Sequence, residues 1–258
     1  SLSGGKKADG GDKAAGDEQE GKTIDPRDFP PLLFSSKNIY IDGRNYGAWS
    51  SDIEPYEDGV KFRLLKGKLN GTEVEGQLNW QLFEEINHNS LLTLNIKGGK
   101  IERFLSVFDL DHLITSEHYQ ASLALVWPNQ PLEFELGKLS GSFDLDIKDG
   151  FLQTEDEKTG ALRLFGVLNA ETITRRLKLD FSDLYKSGVG FDSLSMKAVM
   201  DQGLLSITDP LTIKGPSGDY VINGRSDLEK GSLDLDLLVE LPFTQNVPLA
   251  ALVLGAPQ

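Results

Sequence analysis

Apolar and polar residues alternate along most of this chain. Between Phe34 and Trp80 the alternation comes in four runs: Ile39 and Ile41; Trp49, Ser51 and Ile53; Val60, Phe62 and Leu64; and Val74, Gly76, Leu78 and Trp80. Residues two apart fall on one side of a pleated strand, so each run predicts a strand with one apolar face. The breaks between them, DGRNYG, EPYEDG and LNGT, carry the Gly, Asn, Asp and Pro of tight turns and predict hairpins. Leu91 to Ile96 predicts a further strand, followed by Leu123, Leu125 and Trp127 and by Leu132, Phe134 and Leu136. In the next run Leu139, Gly141, Phe143, Leu145 and Ile147 oppose Ser140, Ser142, Asp144, Asp146 and Lys148, so one side meets apolar surroundings and the other water. The rhythm resumes at Leu194, Met196, Ala198 and Met200. It continues through Leu205 and Ile207, Leu211 and Ile213, Tyr220, Ile222 and Gly224, and ends in Leu233, Leu235, Leu237 and Val239.

The period changes in two places. Ile101, Phe104, Leu105 and Phe108 are spaced as one face of a helix, and so are Leu162, Phe165 and Leu168 within Ala161 to Asn169. Ala170 to Leu177 starts a second helical turn, with Thr172 as N-cap, and leads into the basic cluster Arg175, Arg176 and Lys178. The fold class is therefore mainly β: an extended antiparallel sheet with two or three short amphipathic helices. Those helices are too few to cover its apolar face. Either the sheet closes on itself as a sandwich or barrel, or part of the face lines an open groove, and alternation is identical in both.

Composition narrows the functional classes. Residues 1–28 are Gly-, Lys-, Asp- and Glu-rich with almost nothing apolar, which predicts a flexible segment ahead of a β body over 29–258. The formal net charge is −14 with a pI near 4.7, and most of it lies on the body. Such a surface disfavours nucleic acid, which needs basic residues to neutralise phosphates, and a polybasic membrane patch. The chain has no Cys, so thiolate and disulfide chemistry are excluded. The longest apolar run, Val247 to Leu254, is interrupted by Pro248 and is well short of the roughly 20 residues of a membrane span.

Catalytic signatures do not appear: no nucleophile elbow, phosphate loop, dinucleotide fingerprint or zinc helix. Asp109, Asp111, His112, Glu117 and His118 cluster behind the first helix, but their spacing fits no known metal cage. The abundant carboxylates sit on the polar faces of strands, where they keep the sheet soluble and guard its edges. No enzyme, cofactor or metal is expected.

The order LRLFGVLNAETITRRLKLDFSDLY, GVGFDSL, GLLSITDPLTIKGPSGDYVINGRSDL and LDLDLLVELP resembles the C-terminal region of the AsmA-like clan and, within it, the YhdP branch. The resemblance is strongest over 137–255, weaker but in order from Leu33 to Leu136, and absent from the first 28 residues. It implies a piece of a longer, inner-membrane-anchored periplasmic protein of the Gram-negative envelope, whose members begin with a membrane helix and continue past Gln258. It further implies a curved sheet, taco-like in section, that shields phospholipid acyl chains between the inner and outer membranes without any chemical step. On that reading Phe143, Leu145, Ile147, Leu194, Met196, Met200, Ile222, Leu233, Leu235, Leu237 and Val239 are candidate lining residues. Arg163, Arg175, Arg176 and Lys178 are candidate headgroup contacts. The partners are then phospholipid, the two membranes through other parts of the chain, and other envelope proteins. The alternatives are a structural or protein-binding β module without lipid, and a carbohydrate-active domain using paired carboxylates.

Overall fold

The computed structural model describes residues 24–84, 87–111, 113–153 and 188–241. The strands are β1 (Leu32–Ser36), β2 (Tyr40–Ile41), β3 (Arg44–Asn45), β4 (Ala48–Tyr56), β5 (Gly59–Leu69), β6 (Thr72–Phe83) and β7 (Asn87–Gly98). They continue as β8 (Ile114–Pro128), β9 (Ser140–Leu152), β10 (Val189–Asp201), β11 (Leu204–Gly215), β12 (Gly218–Asp227) and β13 (Ser232–Glu240). Eleven of them form one antiparallel sheet in the order β1-β4-β5-β6-β7-β8-β9-β10-β11-β12-β13, and β2 and β3 pair as a separate hairpin. Apart from β1, which skips the β2–β3 hairpin to pair with β4, neighbours in space are neighbours in sequence, so the sheet is a meander. Among the described residues β1 pairs only with β4 and β13 only with β12, so the sheet they form is not closed into a barrel.

The helical spacing at Ile101 becomes α1 (Ile101–Leu105), which tightens into a 3-10 turn over Ser106–Phe108. Ile101 and Leu105 are buried and the charged Arg103 is exposed, as an amphipathic face requires. The segment expected as helices over 161–177 lies outside the described residues.

Three expectations change. Leu132, Phe134 and Leu136 do not form a strand, because β8 pairs directly with β9 and leaves the run no partner. It becomes a loop ending in a 3-10 turn at Leu136–Lys138, with Leu132 85% exposed. Leu205 to Ile213 is one strand, β11, with an irregular register between Ser206 and Leu211, around Pro210, which has no N–H to give a ladder. Residues 24–28, assigned by composition to the polar tail, belong to the folded body. Asp25 caps a 3-10 turn over Pro26–Asp28, Pro26 is buried, and the turn packs on β4, β5 and β6.

Candidate functional site

Residues paired directly across antiparallel strands share a face, so register decides which side chains meet. Ile147 stands between Tyr119 and Leu194, Leu194 also faces Ile213, and Tyr220 links Ile213 to Val239. One step along, Leu145 faces Ala121 and Met196, while Ile222 faces Leu211 and Leu237. Phe143 faces Leu123 and Ala198, and Leu235 faces Gly224. Met200 lies between Gly141 and Leu205, and Leu233 opposite Ser226. All eleven candidate lining residues therefore lie on one face, spread over β9, β10, β12 and β13.

That face is unevenly covered. Tyr119, Ile147, Leu194, Met196, Leu211, Ile213 and Tyr220 are buried in one cluster with Ile101 and Leu105 of α1. Phe143, Leu145, Ile222, Leu237 and Val239 are only partly buried against it, and Leu235 is 36% exposed. The face thus passes from a sealed zone at the α1 end to a half-open one. Cross-strand glycines keep the sealed zone thin. A Cβ on Gly98 would meet the Tyr119 ring at 2.7 Å, so the ring lies flat over its glycine partner, and Gly150 admits the Phe191 ring in the same way. The Tyr119 hydroxyl shares a hydrogen bond with Thr72, and burial pushes its pKa up despite that bond.

The opposite face is polar. Lys97 pairs with Glu73 at 3.3 Å, and Lys197 reaches Asp144 at 3.3 Å and Asp209 at 3.8 Å. The hydrogen bond that Lys197 donates to the Asp144 carboxylate raises the lysine's pKa. Two depressions on this face, about 400 and 670 Å³, are lined by mixed charges such as Glu73, Lys97 and Asp146. Behind α1, Asp109 is taken by Arg44 and Glu117 by Lys100, and His112 lies outside the described residues. Among the described residues no His, Asp and Glu converge as a metal set. No helix there is long and apolar enough to cross a membrane.

Comparison with known proteins adds what geometry does not. The family model described as YhdP protein matches residues 3–258. The chain belongs to the YhdP family. It is 24% identical over 230 residues to the intermembrane phospholipid transporter YhdP of Escherichia coli strain K12. The match covers 88% of this chain and 18% of that relative, so the chain spans about a fifth of the relative's length. No solved structure matches. Within this YhdP-family sheet, Arg163, Arg175, Arg176 and Lys178 lie outside the described residues.

Sequence reasoning left out much of the shared face. Leu92, Leu94 and Ile96 of β7 face Leu125, Leu123 and Ala121 of β8, and Leu78 of β6 faces Leu92. These side chains extend the apolar rows of β9 toward the N-terminal strands. The signal that finds them is the same alternation, once it is combined with the strand order.

Proposed function

We propose that this stretch carries phospholipid by shielding acyl chains on the apolar face of its open sheet, as a non-enzymatic segment of a periplasmic bridge between two membranes. The observation that carries the reading is continuity. Apolar rows run from strand to strand across the sheet, from Leu78 on β6 to Leu205 on β11, with the face half-open at Phe143, Met200 and Leu235. Each methylene moved from water to such a surface gains about 0.8 kcal/mol, so an acyl chain is held without enclosure while its headgroup stays wet. Met196 and Met200 suit chains of mixed shape, because thioether side chains are flexible and polarisable. Membership of the YhdP family supports the same substrate. No bond is made or broken in this mechanism, so no cofactor is required.

A photoreactive amino acid at Leu235, with the polar-face neighbour Asp236 as control, tests the proposal in living bacteria. Phospholipid adducts at 235 and none at 236 are expected. Equal labelling at both positions, or none at either, counts against it.

A further inference from the structure

The apolar face continues beyond β7. Leu78 leads to Phe62 on β5, and Val60 faces Trp80 one step along. Here the cover differs, because the chain's own residues 24–31 lie on the sheet. Phe29 meets Phe62 edge-on at 6.1 Å between ring centres and Trp80 at 5.8 Å, above Ile53 and Val60. The rest of the segment sets the charged Asp25, Arg27 and Asp28 among Ile24, Pro26, Pro30 and Pro31. Arg27 pairs with Asp25, and the turn's backbone bond from Asp28 N–H to Asp25 O closes within the segment. Burial of Pro26 and Phe29 fastens it to the sheet.

His88 supplies an independent observation. It lies one residue from the end of β7, on the same face as Trp80. Its Nδ1 accepts the Trp80 Nε1–H at 3.0 Å, so a neutral ring carries its proton on Nε2. That Nε2 is buried, and no acceptor among the described residues reaches it. Buried donors are normally paired, and an orphan donor at the edge of an apolar floor suits a ligand with an acceptor oxygen at the head of an apolar chain. A phospholipid acyl ester has that form.

We propose that Ile53, Val60, Phe62 and Trp80 form an acyl-chain subsite that Phe29 occupies when lipid is absent. The segment moves aside when a phospholipid enters, and His88 Nε2–H then donates to an ester carbonyl oxygen. The inference rests on the lipid-carrying reading above and deepens it.

The test is quenching of Trp80 by phosphatidylcholine vesicles with brominated acyl chains, taking the Trp80 signal as the difference between the wild type and Trp80→Phe. Saturating lipid should quench Trp80 in the wild type. Phe29→Ala should reach half-quenching at roughly fivefold less lipid, since a plugged site lowers apparent affinity by the fraction of time it is open, and Phe29→Leu should resemble the wild type. Ether-linked brominated lipid, which lacks the carbonyl, should bind the wild type more weakly than the ester, and His88→Phe should erase that difference. Lipid labelling at position 235 with Trp80 unquenched overturns the subsite and leaves lipid carriage standing. Equal midpoints for Phe29→Ala and the wild type overturn the plug. If Phe29→Ala fails to fold, the wild-type titration and the ether comparison decide. No lipid at either place overturns both readings.

Discussion

Leu235→Asp separates a lipid-bearing face from a sealed core. Leu235 is 36% exposed and faces Gly224 across β13 and β12, so its side chain buries about two thirds of its surface. Full burial of a leucine is worth about 1.5–3 kcal/mol, so the substitution should cost about 1–2 kcal/mol of folding stability. For a body of this size that lowers the melting temperature by about 2–8 °C. Bound lipid loses more in proportion. A carboxylate in place of the leucine denies contact to about two or three methylenes, or about 2 kcal/mol, which is about a thirtyfold weaker dissociation constant. The assay pairs thermal melting with transfer of a fluorescent phospholipid from vesicles. Ile147→Asp is the contrast: at 2% exposure it buries an uncompensated charge and should prevent folding altogether. A folded Leu235→Asp protein that takes up lipid as the wild type does would refute the argument.

Tyr119→Phe removes the Thr72 hydrogen bond and should cost about 1–2 kcal/mol at neutral pH in urea unfolding. Burial raises the Tyr119 pKa above its ordinary 10.0, so its share of stability is present below pH 10 and is lost as the pH rises through the raised value. The variant's stability should therefore fall less steeply above pH 10 than the wild type's. Asp227 behaves with the opposite sign. Its hydrogen bonds to Lys230 lower its pKa below 3.8, so its contribution holds above pH 3.8 and fades as the pH drops. Asp227→Asn should flatten the acid limb slightly, and the difference from the wild type should vanish at about 1 M salt, where charges are screened within about 3 Å. Gly98→Ala should lift the Tyr119 ring and destabilise the protein by about 1–3 kcal/mol, with an altered near-UV circular dichroism signal.

Most strands were legible because each alternates over enough residues to define a face; β9 is the plainest case. Short turns join the strands from β4 to β7 and from β10 to β13, whereas 15, 11 and 36 residues separate β7 from β8, β8 from β9 and β9 from β10. Alternation alone does not say whether a sheet closes, and the single-sided pairing of β1 and β13 supplied that answer. The loop at Leu132 to Leu136 shows the converse failure, an alternating run without a partner strand. Phe29 and His88 carried no periodic signal at all. A lone aromatic beside prolines and charged residues and a histidine among asparagines become informative only when the register brings Phe62, Trp80 and His88 together. The eleven candidate residues share a face because they repeat with period two, while their unequal burial carries no signal in that repeat.

The most direct test of the account is native mass spectrometry with lipid extraction on the wild-type chain purified from bacteria without detergent. Phospholipid should be retained near one molecule or more per chain, and depleted in Leu235→Asp. A monodisperse, stably folded protein free of phospholipid would contradict it.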